Sequence, residues 1–219
     1  MAQFDRFAGD YQSVLDESVG SAAYFARVKA LAATDVLGVG FAGRVLDYGC
    51  GVGLLARALL DHLPRATLVG FDVSQPCLDG IAEPLRSRAA WTSDKTAVGG
   101  EFAAVVVSNV LHHVPPAQRD GLVADLAGRL APGGRLLVFE HNPLNPATRW
   151  VVAHCAFDDD AVLLWPRETT ALLQTAGLQG VRIEYLACVP PALGRLLPLE
   201  RHVRHLPLGA QYLAWGRRP

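Results

Sequence analysis

The sequence contains little cysteine and few charges, and it has no apolar run long enough to cross a membrane. Only four cysteines occur in 219 residues and no Cys-x-x-Cys pair is present, which argues against a disulfide framework or a structural zinc site. Charged residues make up 19% of the chain and the formal net charge is -1, so no overall basic field predicts nucleic-acid binding. A transmembrane helix needs about 20 consecutive apolar residues, and no segment approaches that length.

The N-terminus also lacks the apolar segment of a secretory signal peptide, because residues 1–10 carry Asp5 and Arg6. A cytoplasmic protein is therefore expected. Hydrophobic residues make up 51% of the chain, which is enough for a sizeable core. The length favours one large domain over two small ones.

Short apolar segments alternate with amphipathic segments from residue 44 onward, which predicts a doubly wound α/β fold with a mostly parallel sheet. The first forty residues instead have helical periodicity and predict an N-terminal helical extension. The segment FAAVVVS is apolar on both sides of the pleat, as is typical of a central parallel strand. The predicted strands are 44–47, 68–72, 89–92, 102–108, 135–140, 181–186 and 211–215. The later predicted helices are 54–62, 75–87, 118–130 and 169–176, with an early end of the second at Pro84 as the alternative.

A glycine-rich turn is the most informative stretch: VLDYGCGVGL at 45–54 runs from a buried strand through Gly-x-Gly-x-Gly into a helix. Glycine allows a sharp turn and a close ligand, since it has no Cβ atom. Asp72 ends the next strand, where a carboxylate can accept both hydroxyls of a ribose. A dinucleotide fingerprint would require glycine at position 54, where this chain has leucine. A phosphate loop would end in Gly-Lys-Ser/Thr, which is absent from this turn. The alternative is that 49–53 is only a tight turn between a strand and a helix, and that Asp72 is a solvated residue at a strand end.

These stretches carry a family resemblance. VLDYGCGVG and GFDVS closely resemble the first two motifs of class I S-adenosylmethionine-dependent methyltransferases, and SNVLHHVPP and LAPGGRLLVFEH resemble the sequences around their fourth and fifth strands. The resemblance covers residues 44–140 and implies a seven-stranded sheet whose last strand is antiparallel, with S-adenosylmethionine as the cofactor. The cofactor contacts that it implies are Tyr11, Asp47, Gly49, Cys50, Gly51, Gly53, Asp72, Val73, Asp94 and Asn109.

The resemblance also implies a role for most of these contacts. Asp47 and the three glycines line the methionine side of the cofactor, and Asp72 holds its ribose. Val73 flanks the adenine, and Asp94 accepts a hydrogen bond from the adenine amine. Asn109 contacts the cofactor through its backbone, and Tyr11 resembles an N-terminal tyrosine that folds over the cofactor in members acting on small molecules.

Two histidines are the candidate catalytic residues. Methyl transfer from a sulfonium is an in-line displacement, so a base is needed only if the acceptor loses a proton as it attacks. His141 is the first candidate because it follows Glu140 at the carboxyl end of a strand, and His113 is the second. The alternative is that His141 binds a loop carbonyl and takes no part in the chemistry.

Two further segments invite functional hypotheses. The long segment 141–168 is interpreted as a lid or substrate wall. Within it His154 and the acidic residues 158–160 could bind a divalent cation, but a helix cap and a solvated acidic turn are favoured, and no metal is predicted. The basic segment 195–208 could contact an anionic acceptor, although a solvated face is the favoured reading. Its positive or titratable residues are Arg195, Arg201, His202, Arg204 and His205.

The sequence therefore predicts one methyltransferase domain over residues 1–219 that acts on the oxygen, nitrogen or carbon of a small molecule. Its parts are a helical cap at 1–40, a cofactor-binding core at 44–140, the lid at 141–168, and a C-terminal helix and strands at 169–219. No nucleic-acid or membrane partner is expected, and oligomeric state and acceptor are not specified. A nicotinamide-dependent oxidoreductase and a non-catalytic cofactor-binding scaffold are the alternatives.

Overall fold

The computed structural model describes residues 22–155 and 158–219. Its strands are β1 Arg44–Tyr48, β2 Thr67–Phe71, β3 Ala90–Thr92, β4 Phe102–Ser108, β5 Leu130–His141, β6 Gln179–Leu186 and β7 Gln211–Arg217. Its α-helices are α1 Ala22–Leu37, α2 Leu54–His62, α3 Gln75–Asp79, α4 Leu85–Arg88, α5 Pro116–Gly128, α6 Pro146–Val152 and α7 Pro166–Thr175. Short 3₁₀ segments occur at Lys95–Ala97, Leu111–His113 and Pro191–His202.

The strands form one sheet in the order β3-β2-β1-β4-β5-β7-β6. Strands β1 to β5 pair in parallel, whereas β7 is antiparallel to both β5 and β6. The predicted seven-stranded sheet with an antiparallel last strand is confirmed. Strand order reverses between β1 and β4, and in open α/β sheets ligands bind at such a point, beyond the carboxyl ends of the strands.

Apolar side chains on both faces of the sheet explain why helices cover it on both sides. Val105, Val106 and Val107 of β4 are all fully buried, as expected for a central parallel strand. Helices α1 and α2 pack together on one face. Helices α5 and α7 pack together on the other face, where the core includes Phe102 and Tyr212. The predicted N-terminal helix is present from Ala22 to Leu37, and Tyr11 lies outside the described residues.

One predicted helix is wrong, because 75–87 is divided into α3 and α4. Helix α3 ends at Gly80, and Pro84 lies at the N-cap of α4, where its missing N–H costs no hydrogen bond. Helix α5 begins two residues before its predicted start, with Pro116 at its first turn. Within the described ranges the longest helix has 16 residues, and none is long and apolar enough to cross a membrane.

Candidate functional site

A cavity of about 510 Å³ opens at the carboxyl ends of the parallel strands, at the reversal of strand order. The glycine turn after β1, the end of β2 and the segment after β4 form its floor. Phe25 of α1 and Val151 of α6 contribute apolar walls. This volume is in the range of about 300–1,000 Å³ typical of small-ligand pockets.

The glycine turn holds bare backbone against this cavity. The N–H groups of Gly49 and Cys50 both donate to the carbonyl of Phe71, at 2.7 and 3.0 Å, which ties the turn to β2. Gly49 has φ 79 and Gly51 has φ 53, the left-handed region that favours glycine. Gly49, Cys50 and Gly51 line the cavity, whereas Gly53 ends the turn with φ 79 as the N-cap of α2.

Asp72 follows β2 and faces the same cavity. Its Oδ2 accepts a hydrogen bond from the Gly51 N–H at 2.7 Å, and its Oδ1 accepts one from the Ser74 N–H at 2.9 Å. The residue is buried at 8% exposure but lines the cavity wall. A carboxylate at the end of this strand can accept hydrogen bonds from ribose hydroxyls. The ribose contact of Asp72 stays a prediction.

Asp47 ends β1 in the same wall with an unusual electrostatic environment. No described residue donates a hydrogen bond to its buried Oδ2. Burial, together with the nearby Asp72 charge, raises the pKa of Asp47 to about 7, although Lys29 offsets part of this rise. A buried acceptor without a donor costs free energy unless a ligand satisfies it. This orphaned oxygen suits the positive end of a bound molecule.

Lys29 is a cavity residue that sequence reasoning missed. It extends from α1, and its Nζ donates to Ser108 Oγ at 2.8 Å. Burial lowers the pKa of Lys29 to about 8, against the opposing charges of Glu140 and Asp47. The one available signal was a lysine within a helix whose neighbouring residues, Val28 and Ala30, are apolar and buried. Its position over the sheet could not be read from that signal.

The remaining predicted cofactor contacts divide into three groups. Val73 is 63% exposed and lines the cavity, and Asn109 lines it with φ 55 while its N–H donates to the Phe139 carbonyl at 2.9 Å. Asp94 does not line it: this exposed side chain accepts hydrogen bonds from the N–H and hydroxyl of Thr96 and caps a 3₁₀ turn. Tyr11 lies outside the described residues. The adenine role of Asp94 stays a prediction.

Three histidines and Asp158 converge on the other side of the cavity. His112 and His113 lie on the 3₁₀ turn after β4, and His141 ends β5. Asp158 Oδ1 lies 3.4 Å from His112 Nε2 and 3.7 Å from His113 Nε2, and Asp158 Oδ2 lies 3.8 Å from His141 Nε2. All four side chains line the cavity.

The Nδ1 atoms of two of these rings lie within hydrogen-bond distance of carboxylates. His112 Nδ1 lies 2.5 Å from Glu140 Oε2, and the other oxygen of Glu140 accepts from the Leu111 N–H at 2.8 Å. His113 Nδ1 lies 2.9 Å from Asp160 Oδ1. Glu140 thereby fixes both the 3₁₀ turn and the orientation of the His112 ring.

The three imidazoles differ in charge despite their proximity. Burial alone would lower the pKa of His112, but Glu140 and Asp158 outweigh it and raise that pKa to about 9. Burial and the neighbouring His112 charge lower the pKa of His141 to about 4 and also lower the pKa of His113. His141 is therefore neutral near pH 7 but a weak base, and the catalytic roles of His141 and His113 stay predictions.

The two other predicted segments lie in different places relative to the cavity. Part of segment 141–168 forms α6, which lines the cavity, and its role as a lid or substrate wall stays a prediction. His154, however, is exposed, makes a 2.7 Å contact from Nδ1 to the Trp150 carbonyl, and does not join the histidine cluster. The basic residues of segment 195–208 do not line the cavity. Arg204 instead forms ion pairs with Asp35 at 2.7 Å and Glu184 at 3.4 Å.

Comparison with known proteins gives matches to methyltransferases. A family model described as a methyltransferase domain matches residues 46–136. An uncharacterized methyltransferase of Mycobacterium bovis is 31% identical over 143 residues, which cover 58% of this chain and 71% of that protein. A SAM dependent methyltransferase from Archaeoglobus fulgidus shares the fold with a TM-score of 0.71 and 16% identity, covering 95% of this chain and all of that one.

A third similarity is to phosphoethanolamine N-methyltransferase 2 of Haemonchus contortus, solved with S-adenosyl-L-methionine, at a TM-score of 0.65 and 16% identity over 100% of this chain and 60% of that one. The chain spans only part of several other curated relatives. It covers 40% of a ribosomal protein L11 methyltransferase of Xanthomonas campestris at 31% identity over 54% of this chain. It covers 18% of a ribosomal RNA small subunit methyltransferase of Klebsiella pneumoniae at 43% identity over 31% of this chain.

Proposed function

Because this chain belongs to the class I S-adenosylmethionine-dependent methyltransferases, we propose that it transfers a methyl group from that cofactor to a small-molecule acceptor. One observation carries the proposal: the glycine turn and Asp72 share a single cavity with the cluster of histidines at the ends of β4 and β5. A donor bound over the turn would therefore face an acceptor placed against the histidines.

The residues in the cavity fit the cofactor. The Asp72 carboxylate lines the cavity and can accept hydrogen bonds from ribose hydroxyls, and Gly51 presents backbone without a side chain. The orphaned Oδ2 of Asp47 suits a positive group, and the cofactor carries both an ammonium and a sulfonium. Val73 at the rim offers an apolar side chain for the adenine face.

When bound, the cofactor supplies a methyl group already activated on a sulfonium, so the chain contributes mainly alignment and exclusion of water. Helices α1 and α6 cover the cavity with apolar side chains, including Phe25 and Val151. Fixed orientation of two reactants can supply about 7–11 kcal/mol of barrier reduction. If the methyl acceptor loses a proton as it attacks, His141 is proposed as the base that takes this proton, and His113 is the second candidate.

The shape of the cavity favours a small acceptor. Side chains from α1, the 3₁₀ turn and α6 surround the space above the sheet, whereas a nucleic-acid acceptor would be expected to meet a basic face. Relatives named for ribosomal RNA and for a ribosomal protein make macromolecular acceptors the competing outcome.

Substitution of the ribose-binding candidate tests this proposal. Asp72→Asn keeps the size of the side chain and one acceptor oxygen but removes the charge, whereas Asp79→Asn makes the same change on an exposed residue of α3. We expect the first variant to weaken S-adenosylmethionine binding at least tenfold by calorimetry and the second to leave it unchanged. Equal affinity in Asp72→Asn and the parent protein would contradict the ribose assignment.

Transfer of a labelled methyl group to fractionated acceptors tests the second half of the proposal. We expect label in low-molecular-weight fractions with the parent protein and with Asp79→Asn, and strongly reduced label with Asp72→Asn. Label that appears only in RNA or protein fractions would replace the small-molecule assignment with a macromolecular one.

A further inference from the structure

We propose that His112, His113 and Asp158 form a binding site for a divalent transition-metal ion, and that Zn²⁺ fits it best. These three residues are called the metal cluster below. One ligand atom from each lies within 4.8 Å of the others. Two imidazole nitrogens and one carboxylate favour Zn²⁺ and related ions over Mg²⁺ and Ca²⁺, which prefer oxygen ligands.

The distances within the metal cluster match metal ligation better than hydrogen bonding. Asp158 Oδ1 lies 3.4 Å from His112 Nε2 and 3.7 Å from His113 Nε2. Charge-assisted N–H···O bonds are about 2.7–2.9 Å long, so neither contact is a good one. Ligand atoms about 2.1 Å from a tetrahedral Zn²⁺ lie about 3.4 Å apart. The two distances to Asp158 are close to this separation, and all three ligand atoms lie within 4.8 Å of one another.

The Nδ1 atoms of His112 and His113 each contact a carboxylate, as the second ring nitrogen does in many metal sites. Ligating histidines commonly bond through the other ring nitrogen to a carboxylate, which fixes ring orientation and tautomer. Glu140 does this for His112 Nδ1 at 2.5 Å, and Asp160 does it for His113 Nδ1 at 2.9 Å. Both arrangements direct Nε2 of the ring toward Asp158.

An unsatisfied buried atom supplies an independent observation. Within the described ranges, His112 Nε2 is buried and makes no hydrogen bond of acceptable geometry. A buried ring nitrogen without a hydrogen bond of good geometry costs free energy, and a bound ion would satisfy it. The competing explanation is that a protonated His112 simply bridges Glu140 and Asp158 without a metal.

The fourth coordination position would face the cavity, because all three residues of the metal cluster line it. His141 Nε2 lies beside the metal cluster, 3.8 Å from Asp158 Oδ2. Catalytic zinc sites typically combine three protein ligands with one open position. Resting on the proposed function, we assign that position to an oxygen of the acceptor, so that hydroxyl-bearing acceptors are the favoured class.

Metal binding can be measured on the full chain without knowing the acceptor. The protein is stripped with a chelator and titrated with Zn²⁺ by calorimetry, and with Co²⁺ as a spectroscopic probe of tetrahedral geometry. We expect one equivalent of either ion and an intense visible Co²⁺ absorption. His113→Ala and Asp158→Asn should each lower affinity by at least about 100-fold, the upper end of the loss usually seen when only an outer carboxylate partner is removed.

Two matched variants serve as controls. His154→Ala and Asp159→Asn change an exposed histidine and an exposed aspartate of the same segment, neither of which belongs to the metal cluster. Both should bind Zn²⁺ like the parent protein. Affinity lost equally in these controls, or no binding below millimolar Zn²⁺, would overturn the proposal in favour of the protonated bridge.

Binding of S-adenosylmethionine to the same stripped protein separates this inference from the proposed function. Intact cofactor binding without Zn²⁺ binding would overturn the metal site and leave the methyltransferase proposal standing. Zn²⁺ binding at one equivalent without cofactor binding would support the metal site and contradict the methyltransferase proposal.

Discussion

Asp47 ends β1 at 1% exposure, and its Oδ2 has no donor among the described residues. Its neighbours in the site are Asp72, whose charge raises the pKa of Asp47, and Lys29, whose charge lowers it. The net result is a folded-state pKa of about 7, far above that of an exposed aspartate. The residue is therefore suited to a cationic ligand at the expense of stability in the free protein.

Asp47→Asn is expected to stabilise the free protein and weaken the complex. Because the folded-state pKa is raised, the protonated form stabilises the native state at low pH, and this contribution is lost as pH rises through about 7. The variant should therefore gain stability over the parent between pH 5 and 7, reaching up to about 4 kcal/mol at pH 8. Urea unfolding across pH 5–8 measures this gain.

Cofactor titration supplies the second measurement for this variant. Parent affinity for S-adenosylmethionine should rise with pH toward about 8 as Asp47 loses its proton, whereas Asp47→Asn should bind more weakly with a flatter profile. A variant that is less stable than the parent at pH 8 would show that Asp47 has a donor in solution.

At the scale of elements, α6 connects the sheet to the cavity wall. Asn145 caps it by accepting hydrogen bonds from the N–H groups of Ala147 at 2.9 Å and Thr148 at 3.3 Å. The Asn145 amide also donates to the Leu208 carbonyl at 2.9 Å, which ties the helix to the chain before β7. A seven-residue helix is too short to be stable alone, so these contacts hold it over the cavity.

Asn145→Ala should loosen α6 selectively. Loss of an N-cap side chain costs about 0.5–2 kcal/mol, and amide hydrogen exchange in residues 146–152 should accelerate accordingly. The matched control is Glu168→Ala, which removes the 2.6 Å acceptor of the Trp165 N–H at the start of α7, outside the cavity lining. It should accelerate exchange only within 166–175. Similar exchange of 146–152 in both variants would mean that packing alone holds α6.

Several helices and strands could be predicted from local signals in the sequence. The predicted segments 54–62 and 102–108 agree with α2 and β4 to the residue, because Pro64 just beyond the helix and an apolar run on both sides of the strand are local signals. The predicted helix 75–87 was wrong, since Gly80 and Pro84 each interrupt it. Pro84 was a local signal for the break, whereas the end of α3 before Gly80 was not predicted.

For the whole molecule, ligand binding should shift the unfolding temperature. A ligand at about 100 times its dissociation constant adds about 2.7 kcal/mol to the stability of the state that binds it. For a chain of this length that gain corresponds to a rise of about 5–11 °C. S-adenosylmethionine should produce this rise in the parent protein, whereas Asp72→Asn, with affinity at least tenfold lower, should retain no more than about 1.4 kcal/mol of the gain at the same ligand concentration.

Nicotinamide dinucleotides provide the negative comparison, because position 54 is leucine where their fingerprint requires glycine. Scanning fluorimetry with both ligands distinguishes the two classes. A larger shift with the dinucleotide would favour the oxidoreductase alternative over the methyltransferase.

The sequence by itself determined the parallel sheet, the glycine turn and the place of Asp72. These depend on neighbours in the chain: alternating apolar segments, backbone angles open to glycine, and a carboxylate directly after a strand. Only the tertiary structure decided which distant groups meet. Lys29 reaches Ser108 across 79 positions, and His113 meets Asp160 across 47. Where such distant residues come together, burial and neighbouring charges determine the pKa values, and the metal cluster is assembled. No local sequence pattern encodes these long-range contacts.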